Sequence, residues 1–137
     1  MKAAVLCLFV LVVGVVFVDM IDIYDQAFLK CCKEKGIRSS CQPYCSYEKK
    51  ADVVLKAFKA GKCDFDTEGP SYYQCLENEK DNRRCCESKG VGADAALKYC
   101  LDKCDGTKPI KPDHKYFNCK PYAQKIRDCG EFSHYLR

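Results

Sequence analysis

The order of apolar and polar residues along the chain predicts several short helices. Apolar side chains recur at helical spacing, as at Val54, Leu55 and Phe58, whereas the strict alternation that is typical of strands is absent. Most of these segments begin at an aspartate or a proline and end at a glycine, residues that favour the first turn of a helix and the position after its last turn. The predicted starts are Asp25, Asp52, Pro70 or Ser71, Asp81, Asp94 and Pro121, and the predicted glycine stops are Gly36, Gly61, Gly90, Gly106 and Gly130.

The beginning of the chain has a different character. An apolar run of 16 residues, Ala3 to Val18, follows a single basic residue, Lys2. A basic end and an apolar run of this kind are typical of a secretory signal peptide, and the run falls short of the roughly 20 residues of a comfortable membrane span. We therefore predict a signal peptide over residues 1–18, cleaved between positions 14 and 19, with an uncleaved membrane anchor as the alternative.

Cysteine organises the rest of the chain. Loss of the signal peptide would remove Cys7 and reduce the 13 cysteines to 12, the even number expected of a fully oxidised secreted protein. These cysteines form two sets of six with nearly the same spacing, because matching members lie 54 to 59 residues apart. The first set is Cys31, Cys32, Cys41, Cys45, Cys63 and Cys75, and the second is Cys85, Cys86, Cys100, Cys104, Cys119 and Cys129.

The two cysteine sets indicate a duplicated structural unit. The half-repeats, about 25–78 and 79–137, are each too short to build a sufficient hydrophobic core without covalent staples. We therefore predict a small, disulfide-rich, all-α protein. Its two similar helical six-cysteine units would pack as one domain over residues 19–137.

The local cysteine spacing limits the disulfide pairing without fixing it. Each half contains a Cys-x3-Cys pair, Cys41/Cys45 and Cys100/Cys104, whose sulfurs would share one face of an α-helix. The two adjacent cysteines of each half diverge by about 100° on a helix, so they can bridge to two different neighbours. Six cysteines allow many pairings. We expect the bridges to stay within each half and to join the double cysteine to the Cys-x3-Cys pair at least once.

Several cysteine motifs occur together in one order. Two double cysteines and two Cys-x3-Cys pairs combine with the run Cys100-Leu101-x2-Cys104-Asp105-Gly106. This combination resembles the DB module, a twelve-cysteine extracellular module of nematode secreted and cell-surface proteins, from about residue 28 to the C-terminus. One departure is the long gap between Cys86 and Cys100. The resemblance implies an extracellular location and six disulfides, and it implies no activity and no catalytic residues.

Charge is unevenly placed along the chain, whose net charge is +4. Residues 19–107 hold 15 basic and 16 acidic residues, whereas residues 108–137 hold 7 and 3. The basic segment is either a solvated, proline-containing tail or a patch that binds an extracellular protein, an anionic surface or a glycan. No nucleic-acid partner and no membrane span after signal cleavage are expected, and the oligomeric state stays open. The candidate patch residues are Lys108, Lys111, Lys115, Lys120, Lys125 and Arg127.

The sequence does not favour a metal site or an enzyme. Cys-x2-Cys pairs, the usual sign of a structural zinc site, are absent. No histidine follows either double cysteine, and His114 and His134 are both interpreted as exposed loop or tail residues. A Gly-x-Ser-x-Gly nucleophile motif is also absent. We therefore assign no catalytic residue, no metal ligand and no cofactor.

An interaction or structural module without enzymatic activity is the function that the sequence favours. One alternative is a carrier of a small apolar ligand such as a lipid, because ligand pockets are mostly apolar. A second alternative is a protease inhibitor that presents Arg38 in an exposed loop framed by Cys32 and Cys41. The residues that would line a lipid pocket are Val54, Leu55, Phe58, Leu76, Leu97, Leu101 and Ile126.

Overall fold

Helices make up most of the computed structural model, which describes residues 23–136. The predicted signal peptide, its cleavage site and Cys7 lie outside these residues. Between residues 23 and 136 there is no β-strand, only an isolated bridge between Asp81 and Asp105, and no helix is long and apolar enough to cross a membrane. The α-helices are α1 (23–34), α2 (Ala51–Lys59), α3 (Phe65–Leu76), α4 (Arg83–Ser88) and α5 (Ala123–Phe132). The 3₁₀ segments are η1 (Gln42–Tyr44), η2 (Ala95–Cys104) and η3 (His114–Tyr122).

Aspartate caps begin three of these segments. The Asp94 carboxylate accepts a hydrogen bond from the backbone N–H of Ala96 at the start of η2, where the sequence predicts a cap. Asp64 and Asp113 cap α3 and η3 in the same way. The predicted start of a helix at Pro70 or Ser71 is wrong, because the Asp64 cap starts α3 at Phe65 and both residues lie inside the helix.

Asp25 does not cap a helix, contrary to the prediction. It lies inside α1, which is already helical at residue 23. Its carboxylate instead accepts hydrogen bonds from the Ser46 hydroxyl at 2.8 Å and from the Tyr47 backbone N–H at 2.9 Å. Asp25 therefore connects α1 by hydrogen bonds to the segment that follows Cys45.

The six disulfides pair in the same order in both halves. The first cysteine of each set bonds to the sixth, the second to the fourth and the third to the fifth, so every bridge stays within its half. The predicted link from the double cysteine to the Cys-x3-Cys pair is confirmed once in each half. Shared connectivity supports a duplicated unit. The bridges are Cys31–Cys75, Cys32–Cys45 and Cys41–Cys63, then Cys85–Cys129, Cys86–Cys104 and Cys100–Cys119.

The Cys-x3-Cys pairs do not share an α-helical face. Cys41 and Cys45 flank the single 3₁₀ turn η1, and Cys100 and Cys104 belong to the 3₁₀ segment η2. A 3₁₀ helix has about three residues per turn, so residues four apart point in different directions. Each pair consequently sends its two sulfurs to two different partners.

The halves differ most between their fourth and fifth cysteines. In the first half this stretch contains α2. In the second half residues 105–113 form no helix, since Pro109 and Pro112 interrupt the segment and proline is unfavourable in a helix interior. The loop 105–113 therefore stands where the first half has a helix, and it borders the cleft described below.

Arg127 joins the two halves. It lies on α5, which packs against α2 and α3, and it is only 4% exposed. Its Nη1 donates to the Tyr72 hydroxyl at 2.7 Å and its Nη2 donates to the Ser46 carbonyl at 2.6 Å. The Tyr72 hydroxyl in turn donates to the Tyr44 carbonyl at 2.8 Å. This chain of hydrogen bonds ties α5 to three parts of the first half.

Glu77 is a buried carboxyl group at the junction between the halves. It is fully covered, and its Oε2 accepts a hydrogen bond from the Asn82 side-chain amide at 2.8 Å, while Oε1 has no partner. Burial raises the pKa of Glu77 well above its ordinary value, and the Asn82 hydrogen bond and the charges of Arg127 and Lys103 offset only part of that rise.

The raised pKa of Glu77 predicts that the protein loses stability as the pH rises. The folded state holds this proton more tightly than the unfolded chain, so the stabilisation is complete below about pH 4.5 and is lost as the pH rises through the folded pKa. Its slope is at most about 1.4 kcal/mol per pH unit. Glu77→Gln keeps an acceptor for Asn82 and should flatten this dependence in urea unfolding measured from pH 4 to pH 8.

Glu48→Gln is the control for this measurement, because Glu48 is an exposed carboxylate. It should leave the pH dependence close to that of the wild type. An unchanged slope in Glu77→Gln would show that the buried carboxyl does not govern the pH dependence.

Candidate anion-binding cleft

A cleft of about 410 Å³ lies in the second half, between the start of α4, the end of η2 and the loop 105–113. Basic side chains dominate its border, two aspartates share it, and apolar groups complete it. A volume of this size falls within the usual range for a ligand pocket. The lining residues are Arg83, Asp102, Asp105, Lys108, Pro109, Ile110, Lys111, Lys115 and Tyr116.

The Cys86–Cys104 disulfide and two backbone hydrogen bonds bring the walls of the cleft together. The disulfide fixes α4 against the end of η2. The backbone N–H of Asn82 donates to the Cys104 carbonyl, and that of Gly106 donates to the Lys80 carbonyl, both at 2.8 Å. These contacts hold the first residue of α4, Arg83, close to the loop that carries the lysines.

Arg83 is held in position by Asp81. Its Nε donates to Asp81 Oδ1 at 2.9 Å and its Nη2 donates to Oδ2 at 2.7 Å, which makes a bidentate pair at the edge of the cleft. These hydrogen bonds hold the pKa of Asp81 below its usual range. Arg83 therefore already has a carboxylate partner at the edge of the cleft.

Lys115 lies over aromatic rings. Its Nζ is 5.0 Å from the centre of the Tyr99 ring and 5.3 Å from that of Tyr116. The Tyr116 hydroxyl donates to Asp102 Oδ2 at 2.8 Å, and burial together with Asp102 raises the pKa of Tyr116. The hydrogen-bonded Tyr116 side chain is thus fixed in the lining of the cleft, and no carboxylate oxygen of residues 23–136 lies within 4.0 Å of the Lys115 ammonium.

Lys108 and Lys111 are exposed at the rim of the cleft. Among residues 23–136 neither ammonium group lies within 4.0 Å of a carboxylate oxygen. The nearby Asp105 is engaged internally, because its Oδ1 accepts from the backbone N–H and the hydroxyl of Thr107. Three lysines therefore converge on the cleft, and within residues 23–136 none of them forms a direct ion pair with the aspartates nearby.

The structure brings together only part of the predicted basic patch. Lys108, Lys111 and Lys115 line the cleft, whereas Lys120 and Lys125 are exposed outside its lining. Assigning Arg127 to the patch is wrong. Its guanidinium group is buried between the halves, where it donates to the Tyr72 hydroxyl and the Ser46 carbonyl, so it does not belong to the open surface.

The sequence did not predict most of the residues that line the cleft. Arg83, Asp102 and Asp105 are separated along the chain from the basic segment, and the apolar Ile110 carries no signal of its own. The pairing of Cys86 with Cys104 is the feature that would have placed Arg83 beside Asp105. Spacing alone could not select that pairing.

The structure does not support the apolar-ligand carrier. Four of the proposed lining residues border one cavity of about 20 Å³, which is close to the volume that a single water needs. A lipid is far larger than this space. The four residues are Val54, Leu55, Leu76 and Ile126, while Phe58, Leu97 and Leu101 pack partly buried against the core.

Arg38 lies in an exposed loop, but its side chain is already engaged. Its Nε donates to Glu68 Oε1 at 3.0 Å, and its Nη2 reaches the Gly61 carbonyl at 3.3 Å. The backbone N–H of Arg38 also donates to Glu68 Oε2 at 2.7 Å. A protease pocket would have to break these contacts to receive Arg38, so the geometry gives no support to the inhibitor alternative.

The histidines and the buried acid are also accounted for by local contacts. His114 is exposed, as the sequence indicates, but His134 is half-buried and shares a 2.9 Å hydrogen bond with the Tyr47 hydroxyl. Glu77 lies near the sulfurs of Cys86 and Cys104. Those sulfurs are bonded to each other, so they are not thiolates that could bind a metal.

The helical fold and its cysteine framework match a known family of domains. The sequence model of the DB module matches residues 31–130, the stretch that contains all twelve paired cysteines. The chain belongs to the DB module family. The DB module is a family of extracellular, non-catalytic domains, and the six disulfides of this DB module fit that setting. Neither a curated protein nor a solved structure matches the chain.

Proposed function

We propose that this DB module is a secreted binding module, without enzymatic activity of its own, that holds an anionic group of a partner in the basic cleft. The observation that carries this proposal is the convergence of Lys108, Lys111 and Lys115 on one cleft, where none of the three ammonium groups lies within 4.0 Å of a carboxylate oxygen of residues 23–136. Like charges that crowd together repel one another, and an anion relieves that repulsion.

Rigidity of the cleft supports the same proposal. The Cys86–Cys104 bridge joins α4 to the end of η2, Asp81 pairs with Arg83 at the edge of the cleft, and the buried Tyr116 belongs to its lining. A site that is already ordered loses little conformational entropy when a ligand binds. The unpaired lysines can therefore give useful affinity in spite of their exposure.

Secretion and domain limits belong to this proposal as well. A signal peptide over residues 1–18, cleaved between positions 14 and 19, would deliver residues 19–137 to an oxidising compartment in which six disulfides form. The half-repeats would then be about 25–78 and 79–137. The mass of the secreted protein locates the cut.

Removing two cleft lysines is expected to weaken anion binding. The variant K108Q/K111Q should bind a heparin-derived decasaccharide and a fluorescein-labelled polyglutamate peptide about five- to tenfold more weakly at low salt, because charge pairs at a surface are individually modest. Thermophoresis between 20 and 200 mM NaCl measures this loss, and wild-type binding itself should weaken as salt rises.

K56Q/K59Q provides the matched control, because Lys56 and Lys59 are exposed on α2 and the net charge changes equally. It should retain near-wild-type binding. Equal losses in the two double variants would mean that net charge, rather than the cleft, attracts the anion.

A further inference from the structure

The loop that borders the cleft has backbone groups without partners. Within the described residues 23–136, the backbone N–H groups of Lys108, Ile110 and Lys111 make no hydrogen bond to the protein. In the first half the corresponding stretch satisfies its backbone groups within α2. Unpaired amides along an irregular segment can pair with another extended chain, as in strand addition to an exposed edge.

The apolar part of the cleft lies beside its lysines. Ile110 and Tyr116 are largely buried beneath the rim, and Pro109 is exposed next to them. An anion alone would leave these apolar groups unmatched. A ligand that carries an apolar side chain next to its negative charge would cover the exposed Pro109 and the small part of Ile110 that water still reaches.

Two aspartates in the lining of the cleft also restrict which anionic ligands can bind there. Asp102 and Asp105 face the same cleft as the lysines, and one carboxylate oxygen of each is already hydrogen-bonded within the protein. A chain with closely spaced sulfates would place negative charge beside these carboxylates. Separated carboxylates and backbone N–H donors, as in a peptide, fit this mixed border better.

Tyr116, the aromatic residue that lines the cleft, does not present an open face for a sugar. It is buried, and the Lys115 ammonium lies 5.3 Å from the centre of its ring. Stacking of a sugar ring on Tyr116 is therefore not available. This geometry favours a peptide over a glycan.

From these contacts we infer that the cleft binds an acidic peptide segment of a partner protein, with acidic residues on either side of an apolar residue. The inference rests on the proposed anion-binding function and narrows its ligand. The carboxylates pair with Lys108, Lys111 and Lys115, the apolar side chain covers Ile110 and Pro109, and the peptide backbone pairs with the amides of the loop 105–113.

A peptide selection tests this inference. A displayed library of random heptapeptides is panned on the oxidised, secreted protein and depleted on K108Q/K111Q, with K56Q/K59Q as the matched control. We expect enriched sequences in which Asp or Glu lies next to a large apolar residue. For the best peptide, fluorescence polarisation should show at least about tenfold weaker binding to K108Q/K111Q and an unchanged affinity for K56Q/K59Q.

A second set of probes tests the apolar contact. Replacing the apolar residue of the enriched peptide by glycine, at constant charge, should weaken binding at least about fivefold. An unchanged affinity would overturn the inference. The inference would also be overturned if the selection enriched no lysine-dependent peptide while the heparin-derived decasaccharide bound through Lys108 and Lys111. In that case the proposed anion-binding function would still hold. If neither probe depends on these lysines, both proposals fail.

Discussion

Gly130→Ala is expected to destabilise the protein by about 3 kcal/mol or more, close to the upper end of what an overpacked core position costs. Gly130 is buried on α5, and a Cβ placed there would overlap the Leu76 carbonyl oxygen and crowd the Glu77 carboxylate. The helix cannot move away easily. Its Cys129 is bonded to Cys85, and its Arg127 is bound to the first half.

Urea unfolding of the oxidised protein measures this effect, and secreted yield should fall with it. Gly36→Ala is the comparison, because Gly36 has a positive φ of 77°, unlike Gly130, and no neighbouring atom lies within 4 Å of its added Cβ. It should cost only about 1 kcal/mol, from backbone strain alone. Equal losses in the two variants would show that α5 and α3 do not approach as closely as the structure indicates.

Arg127→Met should also be strongly destabilising, by about 3 kcal/mol, although it keeps most of the side-chain volume. The change removes the donors to the Tyr72 hydroxyl and to the Ser46 carbonyl, and it leaves those buried polar atoms without this partner. Thermal unfolding followed by circular dichroism is a suitable measurement, with binding of the heparin-derived decasaccharide recorded in parallel.

Lys125→Met removes the same charge two residues away, at an exposed position on the same helix. Its unfolding midpoint should stay near that of the wild type. Arg127→Met could instead unfold like the wild type and bind the decasaccharide more weakly. That result would show that Arg127 belongs to the basic surface, and it would contradict the role of Arg127 between the halves.

The cysteine spacing and the helix punctuation were sufficient to predict the fold class. The twelve cysteines repeat at nearly constant offsets, and the match to the DB module over residues 31–130 agrees with that pattern. Asp94 starts η2 as predicted, since a cap is a local interaction between residues two apart. Expectations failed where distant parts of the chain meet. Asp25 fastens α1 to Ser46 instead of capping it, and Gly130 lies inside α5 instead of ending it.

Sequence alone determined the helical class and the duplicated cysteine framework, because these follow from composition and from spacing that can be read along the chain. Only the tertiary structure decided which cations share a surface. Arg127 and Lys125 are close in sequence, yet one is buried between the halves and the other is exposed. Arg83 meets Lys108 because the Cys86–Cys104 bridge folds α4 onto the end of η2. That bridge is one of many pairings that the spacing allows, and only the folded chain, which brings Cys86 and Cys104 together, distinguishes it from the others.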